Sequence, residues 1–183
     1  GDAEFGVAGG SENMSQAPYV LQNSRWGKKM GDTMAQDMLL AALNCPFGTG
    51  HMGVTAENVA KEHSISRESQ DLFALESQRR AHIAIESGYF DEQIVPIEIK
   101  SRKELVEFKV DEHPKHSDIN TLSNLKPAFK KDGSVTPGNA SGLNDGAGAL
   151  VLSTENAASS AGLKPKARIL GYAHAGVRPE VMG

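Results

Sequence analysis

Apolar and polar positions change their spacing several times along this chain, and each change predicts an element. The clearest helix spans 66–88, where Phe73, Ser77, Ala81, Ala84 and Ile85 fall on one face. Arg67, Glu68, Arg79 and Arg80 lie mostly elsewhere, Ser66 is placed to cap the start, and Gly88 to stop the end. Thr55 is a candidate N-cap for a second helix through His63, and Met34, Met38 and Leu39 take helical spacing within 32–43. Shorter helices are expected at 118–125 and at 156–161, the latter stopped by Gly162 and Pro165. Residues 94–99 and 105–110 alternate like the two strands of a hairpin. Residues 4–8 read as a short buried strand, and 168–175 as another. Residues 147–152 form an apolar run without alternation, which suits a buried parallel strand. The stretches 18–31 and 46–53 are turn-rich, and no internal repeat or low-complexity tract appears.

Composition narrows the class. The chain has 183 residues, enough for one domain or pieces of two. Apolar residues are 39% and charged residues 23%, ordinary for a globular protein. The net charge of −4, without a wide basic face, argues against a nucleic-acid partner. No apolar run approaches the ~20 residues that span a bilayer, so no membrane partner is expected. The residues at the start lack the basic-then-apolar order of a secretory signal. A single cysteine, Cys45, excludes an internal disulfide and fits a reducing compartment. His113 and His116 are three apart, but no third and fourth ligands follow at suitable spacing. A solvated loop is the expectation there, and no metal.

The most informative stretch is Gly138-Asn139-Ala140-Ser141-Gly142-Leu143-Asn144-Asp145-Gly146-Ala147-Gly148-Ala149, running into the apolar strand. Small side chains and glycines let a ligand approach the backbone closely. This stretch resembles the loop that thiolases place against the pantetheine arm of coenzyme A. Gly9-Gly10-Ser11-Glu12-Asn13-Met14-Ser15 resembles the thiolase segment Gly-Gly-x-Glu-x-Met-Ser, and His51-Met52-Gly53-Val54-Thr55-Ala56-Glu57-Asn58-Val59-Ala60 resembles its His-Met-Gly…Ala-Glu-Asn segment. The three occur in the family's order.

The resemblance implies an α/β, thiolase-like fold: an α+β loop domain flanked by core strands. On that map residues 1–18 end the N-terminal core domain, 19–143 form the loop domain that holds coenzyme A, 144–165 return to the first core, and 166–183 begin the C-terminal core. It also implies an internal part of a subunit about twice this length. The nucleophilic cysteine would lie before the Gly-Gly-x-Glu-x-Met-Ser segment, and the Asn-Glu-Ala-Phe, Gly-His-Pro and Cys-x-Gly motifs after Gly183. The implied activity is acetyl-CoA C-acetyltransfer, in the direction of Claisen condensation or of thiolysis. This chain would then bring coenzyme A-binding segments and no catalytic residue, coenzyme A being substrate rather than resident cofactor. A non-catalytic coenzyme A-binding or interaction module is the alternative. A condensing enzyme of fatty-acid synthesis is a third reading, which the Ala-Glu-Asn and Gly-Asn-Ala-Ser-Gly matches oppose.

Site residues follow from the same resemblance. Ala140, Ser141 and Gly142 are expected to contact the pantetheine amides; a tight turn into the strand is the alternative. His51 and Met52 are expected near the thioester and point to a short acyl group; the alternative for His51 is capping the following helix. Phe129 would line the pantetheine or adenine side, or belong to the core of the unit. Lys115 stands where thiolases often carry an arginine near the nucleotide phosphates, a point charge in place of a bidentate fork. Thr121 is expected near the adenine. Cys45 lies in the loop-domain portion, without a visible helix N-terminus to lower its pKa, and is read as non-catalytic. Arg25-Trp26-Gly27-Lys28-Lys29-Met30-Gly31-Asp32 resembles the loop that pairs dimers into tetramers, so self-association is expected; Trp26 covering its own domain is the alternative. The compartment stays open between cytoplasm and mitochondrion.

Overall fold

The computed structural model describes residues 3–100 and 104–183, which divide into two compact units. Unit 1 comprises residues 1–43 and 143–178, and unit 2 comprises 44–142 and 179–183.

Unit 1 is built on β1 (Phe5–Glu12) paired with β8 (Gly146–Ser153). The pairing is antiparallel, from Phe5 opposite Ser153 to Glu12 opposite Gly146. It therefore corrects the parallel strand expected at 147–152. Both strands are exposed along their whole length, which also corrects the expectation of burial. An apolar run cannot by itself distinguish the two pairing senses, because both satisfy the same hydrophobic surface. Glycine is needed where the strands meet most closely: a Cβ on Gly9 would lie 2.8 Å from the Gly148 carbonyl oxygen. The same two motifs meet again beyond the ladder, where the Ser15 backbone N–H donates to Asp145 Oδ1 at 2.9 Å. A small ladder joins β2 (Tyr19–Leu21) and β3 (Ala35–Asp37), and α1 (Met38–Ala42) follows at once. The helix expected within 32–43 is thus only its last part; Asp37 accepts the Leu39 N–H and fixes the start. Thr154 caps α5 (Glu155–Ser160), where Ala157 and Ala158 are buried. Residues 168–175 form no hydrogen-bonded strand, contrary to expectation, because no described segment offers them a ladder.

Unit 2 opens with the tight pair β4 (Asn44–Cys45) and β5 (Gly50–His51). Gly48 and Gly50 turn the chain there with φ of 84° and 90°, the left-handed region that glycine enters without strain. Next come α2 (Met52–Glu62) and α3 (Arg67–Glu86). Ser66 caps α3 as expected, accepting the Ser69 N–H. α2 begins three residues before the expected Thr55: His51 is its N-cap, and the buried Thr55 hydroxyl instead donates to the Met52 carbonyl. The hairpin forms as β6 (Ile97–Lys100) and β7 (Leu105–Phe108), antiparallel. α4 (Ile119–Ser123) is capped by Asp118. A single 3-10 turn, Pro179–Val181, lies against α2, where Asn58 Nδ2 donates to the Glu180 carbonyl.

The core of unit 2 is small and largely polar. Its fully buried side chains are Thr55, Asp71 and Thr136, with Glu57, Ala60, Leu122 and Val135 nearly so. This changes the reading of α3. Its inner face runs from Asp71 through positions 74, 75, 78, 81, 82, 84 and 85, so Ala81, Ala84 and Ile85 lie as expected, while Phe73, at 79% exposed, and Ser77 face away. A buried carboxylate leads the face, and hydrophobic periodicity cannot register it.

Candidate functional site

The site builds from the start and the middle of α2. At its start, His51 Nδ1 accepts the Gly53 N–H at 3.0 Å. An imidazole nitrogen that accepts is unprotonated, so the neutral ring carries its hydrogen on Nε2. The His51 ring stacks on Phe129, with centroids 4.7 Å apart and planes 22° from parallel. Gly53 makes the contact possible: a Cβ there would lie 2.3 Å from the Phe129 ring carbons. His51, Met52 and Phe129 are half-buried together at one end of the helix. The helix-capping alternative for His51 is therefore realised, and the ring also packs on Phe129.

About one and a half turns further along α2 stands Glu57. Its carboxylate accepts the backbone N–H groups of Ser134 and Val135, each at 2.8 Å, and the Ser134 hydroxyl at 2.9 Å. Burial raises the Glu57 pKa, but the Val135 and Ser134 N–H groups and the Ser134 hydroxyl outweigh it, so the group is held below its ordinary value. Gly133 leaves the space for this contact, since a Cβ there would meet Glu57 Oε1 at 2.3 Å. The same loop is tied to Phe129's segment by the Ala128 N–H, which donates to the Val135 carbonyl at 2.9 Å.

From Ser134 the chain runs through Thr136 and Asn139 to Ser141. Asn139 Nδ2 donates to Asp71 on α3 and to the Ser134 carbonyl, and its Oδ1 accepts the Thr136 N–H. Gly138 packs on α4 and the residues after it: a Cβ would lie 2.5 Å from Leu125 Cδ1 and 2.7 Å from Leu122 Cδ2. Gly142 is pressed by the His113 ring, 2.1 Å from where a Cβ would stand. The loop is thus held from several sides, while Ser141 at its tip is exposed and Ala140 half-buried.

The remaining expected residues sit on the other helices. The Lys115 backbone N–H donates to Gln78 of α3 at 2.9 Å, and its side chain is exposed. The exposed Thr121 lies in the first turn of α4, where its N–H donates to Asp118 and holds that carboxyl below its usual pKa. His113 and His116 are exposed loop residues as expected, and each also makes a ring contact: His113 lies against Gly142, and His116 stacks on His82 with ring centroids 3.7 Å apart. Cys45 has no helix N-terminus beside it; the Thr49 side chain, followed by the backbone of Phe47, lowers its thiol pKa. A cavity of about 280 Å³ lies away from these residues, between the end of α3 and the segment after β7, lined by Ile85, Phe90, Ile94 and Val110 among others. Sequence reasoning missed Asp71 and Arg67 as part of the site's frame. Glu57 and Asn139 stood inside quoted motifs, but their roles as clamps need the fold.

The profile of the thiolase N-terminal domain matches residues 1–156 of the chain. The chain belongs to the thiolase family. It is 54% identical to the beta-ketothiolase BktB of Cupriavidus necator, over all of this chain and 47% of the relative. It is 50% identical to the crystal structure of the Bacillus anthracis acetyl-CoA acetyltransferase, covering 98% of this chain and 46% of that one, with a TM-score of 0.92. The human mitochondrial 3-ketoacyl-CoA thiolase solved in complex with CoA is 43% identical, over 98% of this chain and 45% of that one, with a TM-score of 0.89. The α/β thiolase fold expected from the three motifs is what these likenesses show, and the chain spans about half the length of the curated relatives it matches.

Proposed function

We propose that this chain supplies the coenzyme A-holding part of an acetyl-CoA C-acetyltransferase, which moves an acyl group between a cysteine and coenzyme A. The observation that carries the proposal is the loop at 134–142. It is clamped by Glu57 and Asp71, yet it offers the exposed Ser141 at its tip. A small hydroxyl and backbone groups on a fixed loop suit the amides of a pantetheine arm. Holding that arm makes attack on the thioester effectively intramolecular. Lys115 would meet the nucleotide phosphates, and Thr121 the adenine.

The end of α2 suits the thioester. With Nδ1 committed to the cap, His51 would offer Nε2–H as a donor to a carbonyl oxygen. Met52 beside it favours a short acyl group. The nucleophile and the acid/base groups belong, on this reading, to parts of the subunit outside these 183 residues. Cys45 is not the nucleophile, despite its lowered pKa. The fully exposed side of Trp26, with Met30 and Met34 nearby in sequence and equally open, favours self-association of unit 1. Residues 19–143 would be the loop domain, although only 44–142 of them cluster as one compact unit and 19–43 cluster with the β1–β8 ladder.

Thiolytic cleavage of acetoacetyl-CoA tests the assignment. The full-length protein should turn over acetoacetyl-CoA, equally well with Cys45→Ala. The 183-residue chain alone should show no turnover. Activity of the chain alone that disappears with Cys45→Ala would refute the assignment.

A further inference from the structure

Asn139 stands where three demands converge. Its Oδ1 accepts the Thr136 N–H at 2.8 Å, and its Nδ2 donates to the Ser134 carbonyl at 3.0 Å and to Asp71 Oδ1 at 2.9 Å. Both amide hydrogens are in use, and only the oxygen can accept from an N–H, so the side chain has one orientation. Asp71 is 1% exposed, and its second oxygen accepts Arg67 Nε–H at 2.7 Å. Arg67 also donates through Nη2 to the carbonyls of Leu122 and Leu125.

A buried ion pair of this kind is poor evidence for net stability, since well-packed apolar residues often do as well. What an apolar side chain at position 71 could not do is fix the direction of Asn139. Arg67 holds one carboxylate oxygen, so the other is left as an acceptor aimed at the loop. Asn139 then closes the turn from Ser134 to Thr136, and the backbone leaves it toward Ser141. We infer that Asp71 is a positioning residue: acting through Asn139, it holds residues 136–142 in the conformation that presents Ser141 to a coenzyme A thioester. The inference rests on the function proposed above.

Three variants of the full-length protein decide it. Asn139→Asp sets two carboxylates against each other across a buried contact. Asp71→Asn, its oxygen claimed by Arg67, turns an amide donor toward the Asn139 donor. Combining both restores one donor and one acceptor, with the direction reversed. The readouts are amide hydrogen exchange at 134–142 compared with α3, and coenzyme A affinity by calorimetry. Each single change should speed exchange in the loop selectively. It should also weaken coenzyme A binding at least about tenfold, the lower end for losing a hydrogen bond to a charged group. The combined variant should recover part of both losses.

Unchanged loop exchange in the single variants overturns the inference. So does faster exchange with unaltered affinity, or a combined variant no better than the singles. Should either single variant fail to fold, Asp71→Ala removes the Asn139 contact while sparing the bonds of Asn139 to Ser134 and Thr136, and is read in the same way. Failure of the unaltered protein to bind coenzyme A would instead refute the proposed function, and loop exchange would still decide whether Asp71 holds the loop.

Discussion

At the scale of single residues, the site depends on where side chains are absent as much as on where they stand. Gly53 lies in the first turn of α2, where alanine would ordinarily favour the helix by up to about 1 kcal/mol. Here the added Cβ would lie 2.3 Å from the Phe129 ring, which cannot swing away without leaving His51. The steric cost wins, so Gly53→Ala should destabilise by about 1–3 kcal/mol in denaturant unfolding. A gain in stability would show that the Phe129 contact is soft. Glu57 gives a second expectation at this scale. Glu57→Gln keeps the shape but weakens the hold on the Ser134 and Val135 N–H groups, at a cost of about 1–3 kcal/mol at pH 7. The folded-state pKa of Glu57 is lowered from 4.5, so the carboxylate's contribution is fully present above that value and is lost as pH falls through the lower folded value. The stability gap between the wild type and Glu57→Gln should therefore narrow in acid. A gap constant from pH 7 to pH 3 would contradict the clamp. Neither residue's task was legible from the chain alone. Both stood in recognisable motifs, but a glycine that yields to a ring and a carboxylate that gathers backbone N–H groups are facts of long-range contact.

At the scale of elements, capping was partly readable. Ser66 precedes its helix as the chain suggests, because a short polar side chain before an apolar period has few other uses, whereas Asp118, expected as the first residue of its helix, is the cap. α2 was misplaced for a physical reason: its cap is an imidazole rather than a hydroxyl, and Thr55 serves inside the helix. This double duty of His51 yields a clean separation. Asparagine also caps well, so His51→Asn should leave stability within about 0.5 kcal/mol, whereas His51→Ala should lose about 1 kcal/mol. Both should lower kcat/KM for acetoacetyl-CoA in the full-length protein, since neither keeps the ring's Nε2–H. Full activity in His51→Asn would reduce His51 to a cap. The strand errors have a different origin. Residues 147–152 looked parallel because an unalternating apolar run fits strands covered on both faces, yet the partner is the antiparallel β1.

At the scale of the whole molecule, three short motifs were enough for the family and fold, because each sets particular residue types at fixed spacing and the three follow one another in the family's order. The polar heart of unit 2 was not, since hydrophobic patterning says nothing of buried Asp71 and Thr136. In unit 1, β1 and β8 form a two-stranded ladder, and Val7, Leu150 and Val151 are each about 70–80% exposed. Two strands without cover are marginal in water. The 183-residue chain by itself should therefore bind a hydrophobic dye and unfold with low cooperativity. A sharp two-state transition without dye binding would show that the ladder is self-sufficient. Acyl-chain preference belongs to this scale too. In the full-length protein, Met52→Ala should raise kcat/KM for longer 3-ketoacyl-CoA substrates relative to acetoacetyl-CoA, since each further methylene needs apolar room worth about 0.8 kcal/mol. An unmoved ratio would place the chain-length pocket elsewhere.

The central claim is that the loop at 134–142 holds coenzyme A through its exposed tip. Calorimetric titration of the full-length protein with coenzyme A, with and without Ser141→Trp, tests it most directly. The expected result is measurable binding that Ser141→Trp weakens at least about tenfold, 1.4 kcal/mol, because the indole fills the space the pantetheine arm would cross. Equal affinity for the two proteins would contradict the claim and place coenzyme A on another surface.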